Sequence, residues 1–201
     1  MDRGMNDPLN QAALEQVFLC ARTTRKFIDR QVDDAMLRRL YDLYKWGPTA
    51  LNCQAGRILF LRDKSAKVRL KPFLMPGNVA HTMAAPVTAV LCYDTQFHEH
   101  MPAQFPANPG ARDMFSANAA LAQETAFRNS TLQGAYFMLA VRMLGLDAGP
   151  MSGFDGNGVN QEFFPDGRWR ANFLVNLGWG DRDGAYPRGP RLDFDEVIRV
   201  L

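Results

Sequence analysis

Residues 47–54 read GPTALNCQ. Gly47 and Pro48 end a helical pattern upstream, and an apolar run, RILFLR at 57–62, follows almost at once. The stretch is therefore an element boundary, where a scaffold commonly presents a binding loop. Thr49, Asn52 and Gln54 supply donors and acceptors, while Gly47 and Ala50 keep side-chain bulk low. Such a segment suits laying backbone and amides along the edge of a planar heterocycle. Cys53 raises the question of a nucleophile, yet the three His residues are remote in sequence and none stands in a recognisable partner motif. The thiol reads more simply as a small buried hydrophobe.

Upstream, DDAMLRRLYDLYKW sets Met36, Leu37, Leu40, Tyr41 and Tyr44 at helical spacing behind an Asp33 cap, and LNQAALEQVFLCA does the same with Leu9, Ala13, Val17 and Cys20. Downstream, RILFLR and PVTAVLCY have the branched apolar character of strands. The intervening SAKVRLKPFLMPGNVAHTM predicts one helix and a further helical turn. Residues 94–118 contain Pro102, Pro106, Pro109 and Gly110 and read as a long excursion, a candidate lid. From Ala119 to Leu144 no Pro interrupts a helix-forming sequence, with Leu121, Thr125, Leu132, Tyr136, Leu139 and Met143 on one side and Gly145 just past its end. ANFLVNLGW predicts a strand, and LDFDEVIRVL a final helix with Asp193 and Glu196 in capping-box spacing. The order is mixed β and α.

A chain of 201 residues is expected to form one domain, 1–201, with a real core. A net charge of +2 gives no global attraction to nucleic acid, so anion binding must come from local Arg clusters. Three widely spaced cysteines point away from a disulfide framework or a thiolate zinc site, and toward a reducing compartment. The N-terminus lacks a signal-peptide layout and no apolar run is long enough for a membrane span, so a cytoplasmic location is expected. His98 and His100 have no evident third ligand, which argues against a metal. GWGDRDG, 178–184, has one residue too many before its last Gly for a dinucleotide fingerprint and does not lead into a helix.

Three further stretches carry chemistry. ARTTRKF, 21–27, offers Arg22, Thr23 and Arg25, two guanidinium forks and a hydroxyl suited to a phosphate; by itself it reads more simply as a solvated helix end. GPMSGFDG, 149–156, has three glycines that permit close ligand approach, or a flexible connector. PRGPR, 187–191, adds Arg188 and Arg191, again compatible with a charged loop.

Taken in order, ARTTRKF, PTALNCQ, PMSGFD and PRGPR resemble the motif series of the FMN-dependent nitroreductase family, over nearly the whole chain. AQETAFRNSTLQGAYFMLAVRMLGLDAGPMSGFD, with KWGPTALNCQ and PGNVAHTMAAPVTAV, is most similar to the subgroup containing malonic semialdehyde reductase. The resemblance implies an α+β sandwich, a mainly antiparallel central sheet wrapped by helices, in an intertwined homodimer with shared sites. It implies that Arg22, Thr23, Arg25 and Arg188 hold the FMN phosphate and ribityl chain, with Arg191 as a further candidate. Pro48, Thr49, Ala50 and Asn52 would line the flavin from the partner subunit. Pro150, Met151, Ser152 and Gly153 would run beside its reactive side, and Asn78 near its pyrimidine ring. His81 stands where many relatives have Lys, so its support for negative charge there depends on its protonation.

The implied activity is reduction of a small electrophile by NADH or NADPH through FMN, with no protein catalytic group and no metal, malonic semialdehyde giving 3-hydroxypropionate. Arg112 and Arg128 are candidates for an acidic substrate. Alternatives are a nitroaromatic or quinone reductase, a desaturating flavoenzyme, a non-catalytic flavin-binding sensory dimer, and a plain interaction domain.

Overall fold

The computed structural model describes residues 7–181 and 185–201; the end of GWGDRDG and the first six residues lie outside them. Four strands form one sheet in the order β1-β2-β4-β3, with β1 Gly56–Leu61, β2 Val87–Asp94, β3 Asp147–Met151 and β4 Trp169–Gly178. Every neighbouring pair is antiparallel. β2 and β4 occupy the centre, and β2 is buried along nearly its whole length, which explains its uninterrupted apolar sequence.

Side chains alternate across the sheet. Val87, Ala89 and Leu91 face one layer with Leu40 of α2 (Asp34–Tyr44) and Phe137 and Val141 of α7 (Ala119–Met143). Val90, Cys92 and Leu174 face the other, with Leu70 of α3 (Lys64–Leu70), Val79 of α4 (Pro76–Ala84) and Val159 of α8 (Gly156–Phe163). Phe137 is wholly buried, worth about 1.5–3 kcal/mol relative to exposure. The predicted Asp33 cap is present, its carboxylate accepting from Met36 N at 2.8 Å. No helix among the described residues is long and apolar enough to cross a membrane.

Several expectations change. The first helix is short, α1 Gln11–Leu14 running into a π turn at Glu15–Leu19, and of its predicted face only Val17 is fully buried. The predicted single turn before β2 is the nine-residue α4, started by Pro76, which is tolerated at the first helical position. GPM in 149–151 is not loop but the second half of β3. Pro150 fits because β3 is an edge strand, and Gly149 because a Cβ there would sit 2.2 Å from Thr24 O.

The 94–118 excursion is folded: a turn at Phe97–His100, α5 Met101–Gln104 and α6 Ala111–Ser116. Phe97, Met101, Ala111 and Phe115 are buried against Cys53, Ala55, Ala122 and Ala126 as a separate core cluster. The final helix, α9 Phe194–Val197, has the predicted capping box of Asp193 and Glu196 but lasts one turn.

The face of α7 is the largest correction. Of the residues read as one side, Leu132, Tyr136 and Met143 are exposed and Thr125 is buried; the buried side carries Ala122 and Ala126 toward the excursion, and Asn129, Gln133, Gly134, Phe137 and Ala140. Glycine is required at 134, where the helix lies so close to the sheet that a Cβ would stand 2.6 Å from Phe173.

One buried charge ties the strands at their ends. Asp94, 1% exposed, pairs with Arg57 of β1 at 2.7 Å and with Arg168, just before β4, at 3.3 Å. Removing it leaves Arg57 without its carboxylate and Arg168 with Glu99 alone, at 3.0 Å. Asp94→Ala should lose about 3–5 kcal/mol of unfolding free energy, seen as a lowered urea midpoint at unchanged slope.

Candidate functional site

The ARTTRKF segment lies along the outer edge of β3, where Thr24 N donates to Ala148 O at 3.0 Å. It opens a cavity of about 380 Å³ lined by Arg22, Thr23, Arg25, Arg142, Arg188 and Arg191. Three of these guanidinium groups converge on the C-terminal carbonyls of the first helix. Arg142 donates to Val17 O at 3.0 Å, Arg22 to Ala21 O at 2.9 Å, and Arg188 to Phe18 O at 3.1 Å and Ala21 O at 3.2 Å. A helix C-terminus attracts cations, which accounts for the gathering.

Carbonyl dipoles do not neutralise five arginines. None of Arg22, Arg25, Arg142, Arg188 and Arg191 has a carboxylate partner among the salt bridges of the described residues. Burial pushes the Arg142 pKa down, the Arg188 charge acts in the same direction, and Asp147 opposes both. Arg142 Nε is buried without a hydrogen-bond partner. Arg25 stacks over Tyr186 at 4.7 Å. Bidentate donors gathered around a small cavity suit an anion with several acceptor oxygens, as a phosphate has.

Next to this cavity stands α4. Asn78 Nδ2 donates to Gly153 O at 2.9 Å, and Met75 N to the same oxygen at 3.1 Å. A Cβ on Gly153 would stand 2.7 Å from Asn78 Nδ2, so glycine is required for this approach. His81 Nδ1 is 3.0 Å from Arg25 O; a carbonyl only accepts, so Nδ1 carries the proton and Nε2 is left for a ligand. The Thr82 hydroxyl donates to Met151 Sδ at 3.6 Å. Lys67 Nζ caps the far end of α4 on Thr82 O at 3.2 Å and on Ala85 O, and burial lowers its pKa to about 8.

The GPTALNCQ loop is built differently. Leu51, Asn52 and Gln54 all have positive φ, 50°, 51° and 41°. Asn tolerates that region, but for Leu and Gln it costs roughly 1–2 kcal/mol each. The loop is held from α7, where Asn129 Oδ1 accepts from Ala50 N at 2.8 Å and Gln133 Oε1 from Gly56 N at 2.7 Å. Cys53 is 1% exposed and burial pushes its thiol pKa up, so its role is packing.

Residues 21–179 match the family described as the Nitroreductase family. The chain belongs to the nitroreductase family. A protein of Burkholderia lata, provisionally named NADH dehydrogenase/NAD(P)H nitroreductase, is 55% identical over 192 residues, 96% of this chain and 98% of that one. A Bacillus subtilis protein described as a nitroreductase superposes with a TM-score of 0.84 at 19% identity, covering 96% of this chain and 100% of that one. One from Exiguobacterium sibiricum, solved in complex with FMN, has a TM-score of 0.83 at 16% identity, over 96% and 99% of the two chains. These two solved structures support the fold.

This nitroreductase-family chain brings Arg22, Thr23, Arg25, Asn78, His81, Pro150, Met151, Ser152, Gly153, Arg188 and Arg191 to the β3 side. It does not bring Pro48, Thr49, Ala50 and Asn52 to them. Those precede β1, at the opposite edge of the sheet, three strand spacings or about 14 Å away. Arg112 is exposed on α6 beside Asp113 at 4.0 Å, and Arg128 is exposed on α7, paired with Glu124; neither lines the arginine cavity.

Sequence reading missed Arg142, Tyr186, Gln104, Asn129 and Gln133. A basic residue in the last turn of a long helix was the available sign of Arg142. Burial of Cys53 and Cys92, with both thiol pKa values raised, leaves Cys20 as the exposed thiol. Titration with an aromatic disulfide at pH 8 should find one reactive thiol in the native protein and three after denaturation.

Proposed function

We propose that this chain is a single-domain, cytoplasmic FMN-dependent NAD(P)H oxidoreductase that reduces a small electrophile. The observation that carries the reading is the gathering of five arginines around one cavity, adjoining the α4 and Gly153 edge through the contact of His81 with Arg25. The donor set fits a phosphate ester attached to a flat polar ring, and the Burkholderia lata relative is named for NAD(P)H chemistry. Bound FMN would supply hydride acceptance from the nicotinamide and donation to the substrate at one ring atom.

The chain's own groups bind and orient. Arg22, Thr23, Arg25 and Arg188, with Arg142 and Arg191, hold the phosphate end. Asn78 and His81 Nε2 serve the polar edge of the ring, and Pro150 to Gly153 keep one side close and uncluttered. Nicotinamide and substrate take turns on the same face, which gives ping-pong kinetics. The substrate we assign is malonic semialdehyde, reduced to 3-hydroxypropionate, on the likeness of the 122–155, 45–54 and 76–90 stretches to that reductase subgroup. Arg112 and Arg128 remain the candidates for its carboxylate. A nitroaromatic substrate is the second reading, favoured by the relative's name.

The site is completed by a second copy. Pro48, Thr49, Ala50 and Asn52 sit at the wrong sheet edge to serve their own Arg cavity, so a homodimer with shared sites joins the two halves. The exposed face of α7 supports this: Phe127, Leu132, Tyr136 and Met143 are 51, 46, 40 and 49% exposed. The segment 190–201 is exposed throughout and carries Leu192, Phe194, Val197, Ile198 and Val200, an apolar arm suited to exchange between copies.

Under anaerobic conditions, protein supplied with FMN should bleach on adding NADH or NADPH and recover its spectrum with malonic semialdehyde. Recovery only with a nitroaromatic selects the second reading, binding without bleaching selects a non-catalytic flavin protein, and absence of FMN binding overturns the proposal. Deleting residues 190–201 should convert the dimer to a monomer in light scattering and weaken FMN binding; a truncated chain that stays dimeric removes the arm from the interface.

A further inference from the structure

The strained loop has a brace outside the motifs that its sequence suggested. Its two ends are fixed by Asn129 and Gln133, which are 2% and 7% exposed and stand one helical turn apart on α7. Between them, Leu51, Asn52 and Gln54 keep positive φ without glycine, a conformation that persists only where the surroundings over-determine it. The partner of that middle is Gln104, the last residue of α5. Gln54 Nε2 donates to Gln104 Oε1 at 2.6 Å and to Asn52 Oδ1 at 3.0 Å, and Asn52 Nδ2 donates to Gln104 O at 2.8 Å. Thr49 Oγ1 closes the loop on itself by accepting from Gln54 N at 3.2 Å.

Gln104 is itself rigidly placed. Three residues earlier, Met101 is 1% exposed in the cluster that also buries Cys53, so α5 and the loop share one small core. The excursion is thus packed against the loop from beneath and hydrogen-bonded to it at its crest.

We infer that Gln104 is a positioning residue for the flavin-facing loop: it holds Gln54 and, through it, the Asn52 amide in the one orientation that presents the 48–52 backbone to a ligand. The inference rests on the cofactor reading above, and it assigns residues 97–116 the part of a fixed brace instead of a lid. Gln104 touches no ligand; its effect passes through Gln54 and Asn52.

Gln104→Leu removes the acceptor at similar volume, and Gln104→Glu keeps an acceptor oxygen. Gln104→Leu should raise the FMN Kd ~10-fold, about the worth of one well-made hydrogen bond. It should also change the visible circular dichroism of the bound flavin and speed hydrogen exchange at the amides of residues 51–54, with Tm little altered. Gln104→Glu should restore all three. Gln54→Leu, which deletes the donor of the same bond, should reproduce the defect, and the double variant should be no worse than either single one. Wild-type Kd, dichroism and exchange in Gln104→Leu would overturn the brace. If the wild-type protein binds no FMN, the cofactor reading fails, and hydrogen exchange at 51–54 alone decides the brace: faster in Gln104→Leu supports it, unchanged rejects it.

Discussion

Gly134 lies on the side of α7 that meets the sheet, where a Cβ would stand 2.6 Å from Phe173 Cζ and 2.9 Å from Leu91 Cδ1. That approach is closer than any side chain allows, and it requires the small-residue face the helix has there. Much of the architecture follows from it. Asn129 and Gln133, on the same face, come within reach of the loop that enters β1. The C-terminal end of the helix is carried past the first helix, so Arg142 is delivered into the arginine cavity. The large apolar side chains are turned outward, where they form a surface that one copy of the chain leaves bare. A single helix therefore links the arginine cavity, the 47–54 loop and the exposed apolar face.

The two halves are stabilised by opposite kinds of imperfection. On the β3 side the cost is electrostatic: five guanidinium groups share a few carbonyl dipoles, and one Nε has no partner. On the β1 side the cost is conformational, in three residues held at positive φ. Each is tolerated because buried neighbours fix the backbone around it, and each would be relieved or used by a ligand with acidic oxygens at one end and a planar polar edge at the other.

Local rules made much of this legible. The Asp33 cap, the Asp193–Glu196 capping box, the three strands with branched apolar runs and the closeness of Arg22 to Arg25 depend on neighbours in sequence. What escaped was decided at long range. Pro150 and Gly149 belong to a strand because an edge position excuses the missing N–H and Thr24 O crowds out a side chain. Leu132 and Tyr136 look like core by helical periodicity, yet they are exposed, because the side of the helix carrying Gly134 and Phe137 is the one that meets the sheet. The Pro-rich 94–118 segment looks like a lid, but two i,i+4 pairs, Phe97 with Met101 and Ala111 with Phe115, too short to stand out as helices, give it a core of its own.

The same distinction explains why Gln104 was invisible and Gln54 was not. Gln54 sits inside the motif whose chemistry drew attention; Gln104 is an amide in a segment with no periodic signal, and its importance comes only from lying 2.6 Å from Gln54. A loop with non-glycine residues at positive φ must obtain its restraint from somewhere. In this chain the ends draw it from α7 and the crest from the excursion, two elements that the close approach of Gly134 and the Phe97–Phe115 cluster hold in fixed relation to the sheet. A loop of strained backbone is thus held in place by buried neighbours outside it.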